Sequence, residues 1–172
     1  MRSFLIAGIL LASSLALGQQ RYDHRGSLGL TIAAGGEALT AVSSKATGAE
    51  SGFRIPLEIG GTFSLTDHTE LRLAGRLAPG LTPISTLAGS VYAGARNSFS
   101  FEQLKTFFDL ELAVHVAPYF AIGARAAFGV QYDFLPIMGV YAQLGGQLGG
   151  ATSLRLSGEV MVGVQFRTYL FE

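Results

Sequence analysis

Apolar and polar residues alternate with a period of two along most of the chain. In one segment leucines are interleaved with charged residues, so that Leu71, Leu73 and Leu77 alternate with Glu70, Arg72 and Arg76. Successive side chains of a β-strand point to opposite faces, so this pattern predicts strands with one apolar and one charged face. The sequence therefore predicts an all-β protein, and the question is which face points inward.

The alternation is clear in seven segments and weak in one more. Between them we predict short turns around Asp67, Pro118 and Gly150, and longer loops at about Gly35 to Gly52 and Pro79 to Ala88. The weak segment is Gly89 to Arg96, and the clear ones are about Ser27 to Ala34, Phe53 to Leu65, Thr69 to Ala78, Phe101 to Val116, Phe120 to Asp133, Ile137 to Leu148 and the final segment from Ser153.

A weak internal repeat follows the three short turns. Each copy carries an arginine on its polar face, at Arg72, Arg125 and Arg155. The repeat predicts an up-and-down antiparallel meander with these three turns on the same rim. That arrangement leaves the weak segment in a loop and gives seven strands.

The N-terminus has the features of a secretory signal peptide. Residues 1–18 carry a positive charge near their start at Arg2, continue through an apolar stretch and end in small residues at Ala16 and Gly18. The apolar stretch is shorter than the roughly 20 residues of a spanning helix. We therefore predict an exported mature chain, residues 19–172, that forms one domain. It contains no cysteine, which excludes disulfides and thiolate metal sites.

Charge is sparse and balanced. Charged residues make up 14% of the chain, against about a quarter in a typical soluble domain, and the formal net charge is zero. Lysine occurs only at Lys45 and Lys105, whereas arginine, which suits buried ion pairs, is common. This composition does not favour a nucleic-acid partner.

The polar face carries six arginines and six acidic residues among small and amide side chains. Balanced charges suit a narrow interior, because an unpaired buried charge is very costly, whereas a solvated exterior would hold more lysine and threonine. We therefore predict a charge network in the lumen of a transmembrane barrel, made of Arg54, Glu58, Glu70, Arg72, Arg76, Asp109, Glu111, His115, Arg125, Asp133, Arg155, Glu159 and Arg167.

The apolar face is free of charge, as a lipid-facing surface requires. The residues predicted to face lipid are Leu57, Ile59, Leu71, Leu73, Leu110, Leu112, Val114, Ile122, Val140, Val160, Val162 and Val164. Aromatic residues near strand ends suit interfacial girdles, namely Phe53, Tyr119, Phe120, Tyr132, Phe134, Tyr169 and Phe171. The alternative is a soluble, lipocalin-like barrel with an apolar cavity lined by Phe63, Leu73, Leu112, Phe128 and Val162.

This pattern resembles the small bacterial outer-membrane β-barrels of the OmpA/OmpX-like or opacity-porin-like kind. The resemblance covers the mature chain, although the chain ends in Glu172 with Phe171 penultimate, where family members usually end in an aromatic residue. It implies an outer-membrane location, contact with lipid and with the barrel assembly machinery, and a structural, adhesive or narrow-pore role. Since family barrels have even strand numbers, the resemblance also favours eight strands. The eighth strand is then either the weak segment from Gly89 to Arg96 or a strand concealed in the long final segment.

Candidate chemistry is limited. His115, Glu111, Asp109 and Arg125 share a face, which suits either an acid/base or metal site or an interior hydrogen-bond network. We favour the network, because the spacing places no nucleophile or second histidine beside them. His24 and His68 are expected to be exposed, and Glu37, Lys45 and Glu50 to lie in a ligand-contacting loop. No catalytic residue, metal or cofactor is predicted, and a lipid-modifying enzyme is the least favoured class.

Overall fold

The computed structural model describes residues 24–43, 49–81, 86–99, 103–118, 120–150 and 153–169. The predicted signal peptide lies outside these residues, as do Tyr119 and Phe171 of the predicted aromatic girdle. No helix in the described part of the chain is long and apolar enough to cross a membrane.

The described residues form nine strands in one antiparallel sheet, in which β9 pairs back onto β1 and closes a barrel. The strands are β1 Ser27–Ser43, β2 Ala49–Arg54, β3 Leu57–Ser64, β4 Thr69–Pro79, β5 Leu87–Ser98, β6 Leu104–Ala117, β7 Ala121–Leu135, β8 Met138–Gly150 and β9 Ser153–Tyr169.

Strands β2 and β3 occupy one position in the barrel wall. Both pair with β1 in a single register, with Glu37 opposite Arg54 and Ala34 opposite Leu57. The interruption is at Pro56, which has no N–H to donate, although its carbonyl still accepts a hydrogen bond of 3.1 Å from Gly35 N. The described barrel thus has eight wall positions, as predicted. The eighth strand is the weak segment, within β5, while the final segment is a single strand.

The register also fixes the width of the barrel. Successive partners around the wall, starting from Leu30, are Gly61, Leu73, Ala93, Leu112, Ala124, Leu148 and Leu156. Leu156 pairs with Thr40, ten residues beyond the starting point on β1. Such a stagger tilts the strands by about 35–45°, and eight strands leave an interior just wide enough for side chains.

The two ends of the barrel differ in their connections. The terminal rim carries the start of β1 and the end of β9, together with the ends of β3, β5 and β7 and the starts of β4, β6 and β8. The loop rim carries the ends of β1, β4, β6 and β8 and the starts of β2, β5, β7 and β9. The prediction that three turns share a rim was wrong. The Asp67 turn is on the terminal rim and the other two are on the loop rim, because β5 adds one reversal of chain direction between them.

The predicted loop from Gly35 to Gly52 was wrong at both of its ends, while its centre, with Lys45, lies outside the described residues. Residues up to Ser43 continue β1, and β2 begins at Ala49. Small and polar residues in this stretch suggested a loop. They are held in a strand because β1 pairs along this stretch with β2 on one side and β9 on the other.

The wall is apolar outside and polar inside. In β4 every second residue is buried, and the buried positions include Glu70, Arg72 and Arg76. The lipocalin-like alternative is wrong, because the side chains assigned to its cavity point outward. Their exposed fractions are 37% for Phe63, 61% for Leu73, 55% for Leu112, 53% for Phe128 and 61% for Val162.

Candidate functional site: the ion-paired lumen

The structure places the predicted network residues on the inner face. All are buried except Arg155 and His115, which are half-buried near the loop rim. Among the described side chains, three charged residues of the lumen were missing from the prediction, namely Glu37, Arg96 and Lys105. Glu37 was assigned to a loop that is part of β1, Arg96 lies on the weak strand, and Lys105 shares the alternation of Asp109 and Glu111.

The predicted lipid-facing residues all point outward. Ten are exposed, while Val114 and Val164 are half-buried by their neighbours. Strand residues with an outward, described side chain are uncharged throughout the wall. Aromatic side chains also point outward near the rims, including Phe53 and Phe120 near the loop rim and Phe134 near the terminal rim. Tyr169 instead turns inward and contacts His24.

Eight residues form a central cluster of ion pairs: Arg72, Arg76, Arg96, Arg125, Glu58, Asp109, Glu111 and Glu159. Six of them make a closed ring of alternating charge, which runs Glu58, Arg72, Glu111, Arg125, Glu159, Arg76 and back to Glu58. The ring joins strands β3, β4, β6, β7 and β9, so it spans the lumen from wall to wall.

Of the six ring residues, Arg72 has the most ion-pair partners. Its Nη2 donates to Glu58 Oε1 at 2.7 Å, and its Nη1 donates to Asp109 Oδ2 at 2.9 Å and to Glu111 Oε1 at 3.0 Å. Gly94 makes this geometry possible, because it lies between Arg72 and Glu111 in the strand register. A Cβ there would lie 2.9 Å from Glu111 Cγ, too close for real Cβ contacts.

Arg96 and Asp109 extend the ring toward the terminal rim. Arg96 binds Asp109 through two hydrogen bonds, from Nε to Oδ1 at 2.7 Å and from Nη2 to Oδ2 at 2.9 Å. The guanidinium also lies 3.7 Å from the ring centroid of Phe107. Bidentate pairing and stacking on an aromatic face both require arginine's planar group, which accounts for the scarcity of lysine in the lumen.

A second group of charged residues, the terminal cluster, closes the lumen at the terminal rim. Asp133 contacts Arg167 at 3.1 Å and Lys105 at 2.7 Å, while Arg167 also reaches Glu70 at 3.3 Å. His24 joins this cluster, with Nε2 3.1 Å from Asp133 Oδ2. The expectation that His24 is exposed was wrong, because the segment before β1 packs this side chain into the barrel end, where it is 2% exposed.

His24 lies outside the strands, in a setting that favours its neutral form. Burial, followed by the positive charges of Arg167 and Lys105, lowers the pKa of this imidazole below its ordinary value of 6.5, although Asp133 opposes the change. His68 is half-buried rather than exposed, since it sits in the turn between β3 and β4 with its Nδ1 3.1 Å from the carbonyl oxygen of Ser98.

The possible acid/base or metal site is not assembled. His115 Nδ1 lies 2.7 Å from Ser90 Oγ, whereas Glu111 and Asp109 bind arginines of the central cluster. Within the described ranges, no group of three histidine or acidic side chains is arranged to hold a metal ion. Asp109 and Glu111 therefore belong to the interior network, and His115 lies beyond it toward the loop rim.

Taken together, these contacts fill the lumen with paired charges. A buried pair contributes little net stability compared with apolar packing, but removing one partner leaves an uncompensated charge and costs about 3–5 kcal/mol. The paired side chains therefore occupy much of the interior that the described strands enclose.

Comparison with solved structures gives the fold a context. The chain is similar to Neisserial surface protein A, with 20% identity and a TM-score of 0.59 over 80% of this chain and 96% of that one. It is also similar to the N-terminal β-barrel domain of Pseudomonas aeruginosa OprF, with 19% identity and a TM-score of 0.52 over 84% and 98%. A third similar structure is Ail, the attachment invasion locus protein of Yersinia pestis, with 11% identity and a TM-score of 0.51 over 84% and 99%.

No protein-family model and no curated protein matches the chain. At these identities the structural likeness shows the fold alone. The fold is the closed, eight-position antiparallel barrel of small outer-membrane proteins, which is the resemblance that the sequence pattern predicted.

Proposed function

We propose that this chain is a non-enzymatic outer-membrane β-barrel protein with a closed lumen, exported by its signal peptide and serving a structural role in the bacterial envelope. Its partners are then membrane lipid around the wall and the barrel assembly machinery during insertion. The observation that carries the proposal is the combination of an uncharged outer face with a ring of ion pairs across the interior.

The outer face supports the membrane location. Large apolar side chains are exposed all around the wall, and several are more than half exposed, such as Leu73 at 61%, Leu144 at 63% and Val162 at 61%. A water-soluble protein rarely exposes so large a contiguous apolar surface. Lipid solvates these side chains, and it tolerates no charge among them, since an Arg or Lys at the midplane costs about 2–4 kcal/mol.

The inner face supports a structural role over a pore. A diffusing solute would have to break the ring made by Arg72, Arg76, Arg125 and their acids, all of which are buried. Opening such a ring exposes several unpaired charges at once, each of which is costly in a low-dielectric interior. A narrow pore is therefore the less favoured of the roles that the resemblance implies.

Contact with a surface or ligand through the loop rim is a second candidate role. Strands β1 and β9 have 17 residues each and pair as far as Ser43 and Ser153, while β4 ends at Pro79 and β5 begins at Leu87. The wall therefore rises higher on the β9, β1 and β2 side. A raised edge of this kind offers backbone and loop residues for contact outside the membrane.

Cell fractionation tests the proposal. The mature protein should sediment with outer-membrane vesicles, resist extraction by urea, and run at different mobilities on a gel before and after boiling. Recovery as a soluble monomer without detergent would contradict the membrane location. In a planar bilayer the purified barrel should show no steady conductance, and a stable open channel would contradict the closed lumen.

A further inference from the structure

The seam of the barrel, where β9 pairs with β1, differs from the other joints in the wall. Neighbouring wall positions elsewhere follow one another along the chain, whereas β1 and β9 are the first and the last strand. In a hairpin the turn type and the loop length fix the register. The seam has no such turn between its strands, yet they pair in one register, from Ser27 opposite Tyr169 to Ser43 opposite Ser153.

The outer face of β9 says little about this register. Val160, Val162 and Val164 follow one another on that face. A slip of one residue is unfavourable, because it would turn the lumen charges toward lipid. A slip of two residues moves β9 by about 6–7 Å along β1, keeps every residue on its own face and puts each valine in the place of the next.

The residues directly opposite each other inside the seam do not favour the register either. Glu159 lies opposite Glu37, another acid, and Arg167 lies opposite Gly29. Like charges in directly opposite positions are destabilising. The Glu37 carboxylate accepts a hydrogen bond from Gln147 at 3.2 Å. The inward charges of β9 therefore have no ion-pair partner directly opposite them on β1.

Glu159 instead binds one arginine on each side of the seam. Arg125 Nε on β7 donates to Glu159 Oε1 at 2.8 Å, and the guanidinium of Arg76 on β4 binds the same carboxylate. The partner on β7 is reached through β8, which follows β7 and precedes β9 in the chain. The partner on β4 lies beyond β1 and β3. The contact with Arg76 therefore depends on how the seam closes.

Arg167 makes the same kind of bridge with the opposite sign. Its Nη1 donates to Asp133 Oδ1 on β7 at 3.1 Å, and its Nη2 donates to Glu70 Oε1 on β4 at 3.3 Å. Gln165, one inward position earlier, donates to Glu70 Oε2 at 3.2 Å and to Thr62 Oγ1 on β3 at 3.0 Å. These polar contacts all cross the seam, and all of these residues are buried.

We propose that Glu159 and Arg167 set the register in which the barrel closes. Each side chain already extends between a partner on β7 and one on β4, so it cannot follow a shift of about 6–7 Å and keep both. A barrel closed two residues out of register would separate Arg76 and Glu70 from these partners, and a lost partner is costly for a buried charge. The proposal holds whatever role the barrel has in the envelope.

Disulfide formation across the seam measures the register. The chain contains no cysteine, so an introduced pair reports one alignment. Ala34 is paired with Val162, and both point outward. Ala34→Cys with Val162→Cys should oxidise readily in the barrel in lipid vesicles, because opposite Cα atoms lie about 4.5–5.5 Å apart. Ala34→Cys with Val160→Cys or Val164→Cys should stay reduced, since diagonal neighbours lie about 7–8 Å apart.

Removing the two bridges should let the seam slip. In a chain that carries both Glu159→Gln and Arg167→Gln, one of the two slipped cysteine pairs should gain disulfide yield by about tenfold. Mass spectrometry after alkylation of the remaining thiols measures the yield, and heat-dependent gel mobility identifies the folded fraction. Each single variant keeps one bridge and should show a smaller gain. If the double variant does not fold, the single variants decide, and the native register alone in both would overturn the proposal.

A matched control removes one charge of each sign away from the seam. Arg96→Gln with Asp109→Asn changes β5 and β6, which follow each other in the chain, and should leave the native pair as the one that oxidises. Equal slippage in this control would overturn the proposal, as would a folded double variant in the native register alone. So would slippage in Met161→Ala without slippage in the double variant, because the fit of Met161 against Gly35 would then set the register.

Discussion

The two faces of the barrel wall are built on different principles, and β4 shows both in adjacent residues. Arg72 points inward, where it is 3% exposed and held by three carboxylates, whereas Leu73 points outward and is 61% exposed. The inner position is defined by named partners at fixed distances. The outer position is defined only by the absence of charge. The effect of a substitution should therefore depend on the ion-pair partners that are lost when the residue points inward, and on the polarity of the new side chain when the residue points outward.

The largest effect is expected from removing a partner on the inside. Arg72→Leu leaves Glu58, Asp109 and Glu111 with too little positive charge, and should lower the free energy of unfolding by about 3–5 kcal/mol. Urea unfolding of the refolded barrel in lipid vesicles measures this loss. Arg54→Leu is the matched control, because Arg54 forms no salt bridge with any of the acidic side chains that the structure describes, and it should cost clearly less. Equal losses in the two variants would mean that the ion-pair ring does not organise the interior.

A charge on the outside should have the next largest effect. Leu73→Arg places a cation near the middle of the outer face and should cost about 2–4 kcal/mol, enough to reduce insertion into vesicles. Leu73→Ala keeps the position uncharged and should insert normally. The heat-dependent shift in gel mobility reports the inserted fraction. Normal insertion of Leu73→Arg would mean that the faces are assigned the wrong way round.

Adding a methyl group should also destabilise the inner face more than the outer face, but by a smaller amount. Gly163 and Gly158 lie on opposite faces of β9, and a Cβ at Gly163 would lie 2.7 Å from the carbonyl oxygen of Ile32, while one at Gly158 would meet nothing within 4 Å. Gly163→Ala should therefore cost about 1–3 kcal/mol through overpacking. Gly158→Ala should be close to neutral in the same urea titration, and a loss as large as that of Gly163→Ala would refute the difference in packing.

The smallest effect is expected from protonation at the terminal rim. Because the pKa of His24 is lowered in the folded barrel, the unfolded chain takes up a proton first as pH falls below 6.5, and acidification favours unfolding. Between pH 8 and pH 5 the native protein should therefore lose more stability than His24→Gln. Identical pH profiles would show that His24 is not held in its neutral form.

The faces and most of the strands followed from alternation alone. Leu71 and Arg72 differ so strongly in polarity that their opposite orientations could be read from the sequence, and so could the assignment of every predicted network residue to one face. However, alternation indicates only which face of a strand a residue occupies, and it does not indicate which residues of other strands that residue contacts. The pairing of Arg76 with Glu159 depends on the closure of β9 onto β1, which sequence spacing does not encode.

Two of the failures, at the stretch from Gly35 to Ser43 and at His24, share one physical cause. Residues from Gly35 to Ser43 are too small and too mixed in polarity to alternate visibly, and they are strand because partners flank them on both sides. Because this stretch was predicted to be a loop, Glu37 was left out of the predicted charge network. His24 lies outside any strand, so no periodicity could place it beside Asp133. In each case a long-range contact decided a position that had no local signal.

Site-specific fluorescence tests most directly whether the apolar face contacts lipid. The chain contains no tryptophan, so a single introduced tryptophan reports one position only. Leu73→Trp and Tyr92→Trp place the probe on the outer and the inner face, in vesicles whose acyl chains carry bromine as a quencher. The structure predicts strong quenching of Leu73→Trp and weak quenching of Tyr92→Trp. Equal quenching, or stronger quenching of Tyr92→Trp, would contradict a barrel with its charges inside and its leucines in lipid.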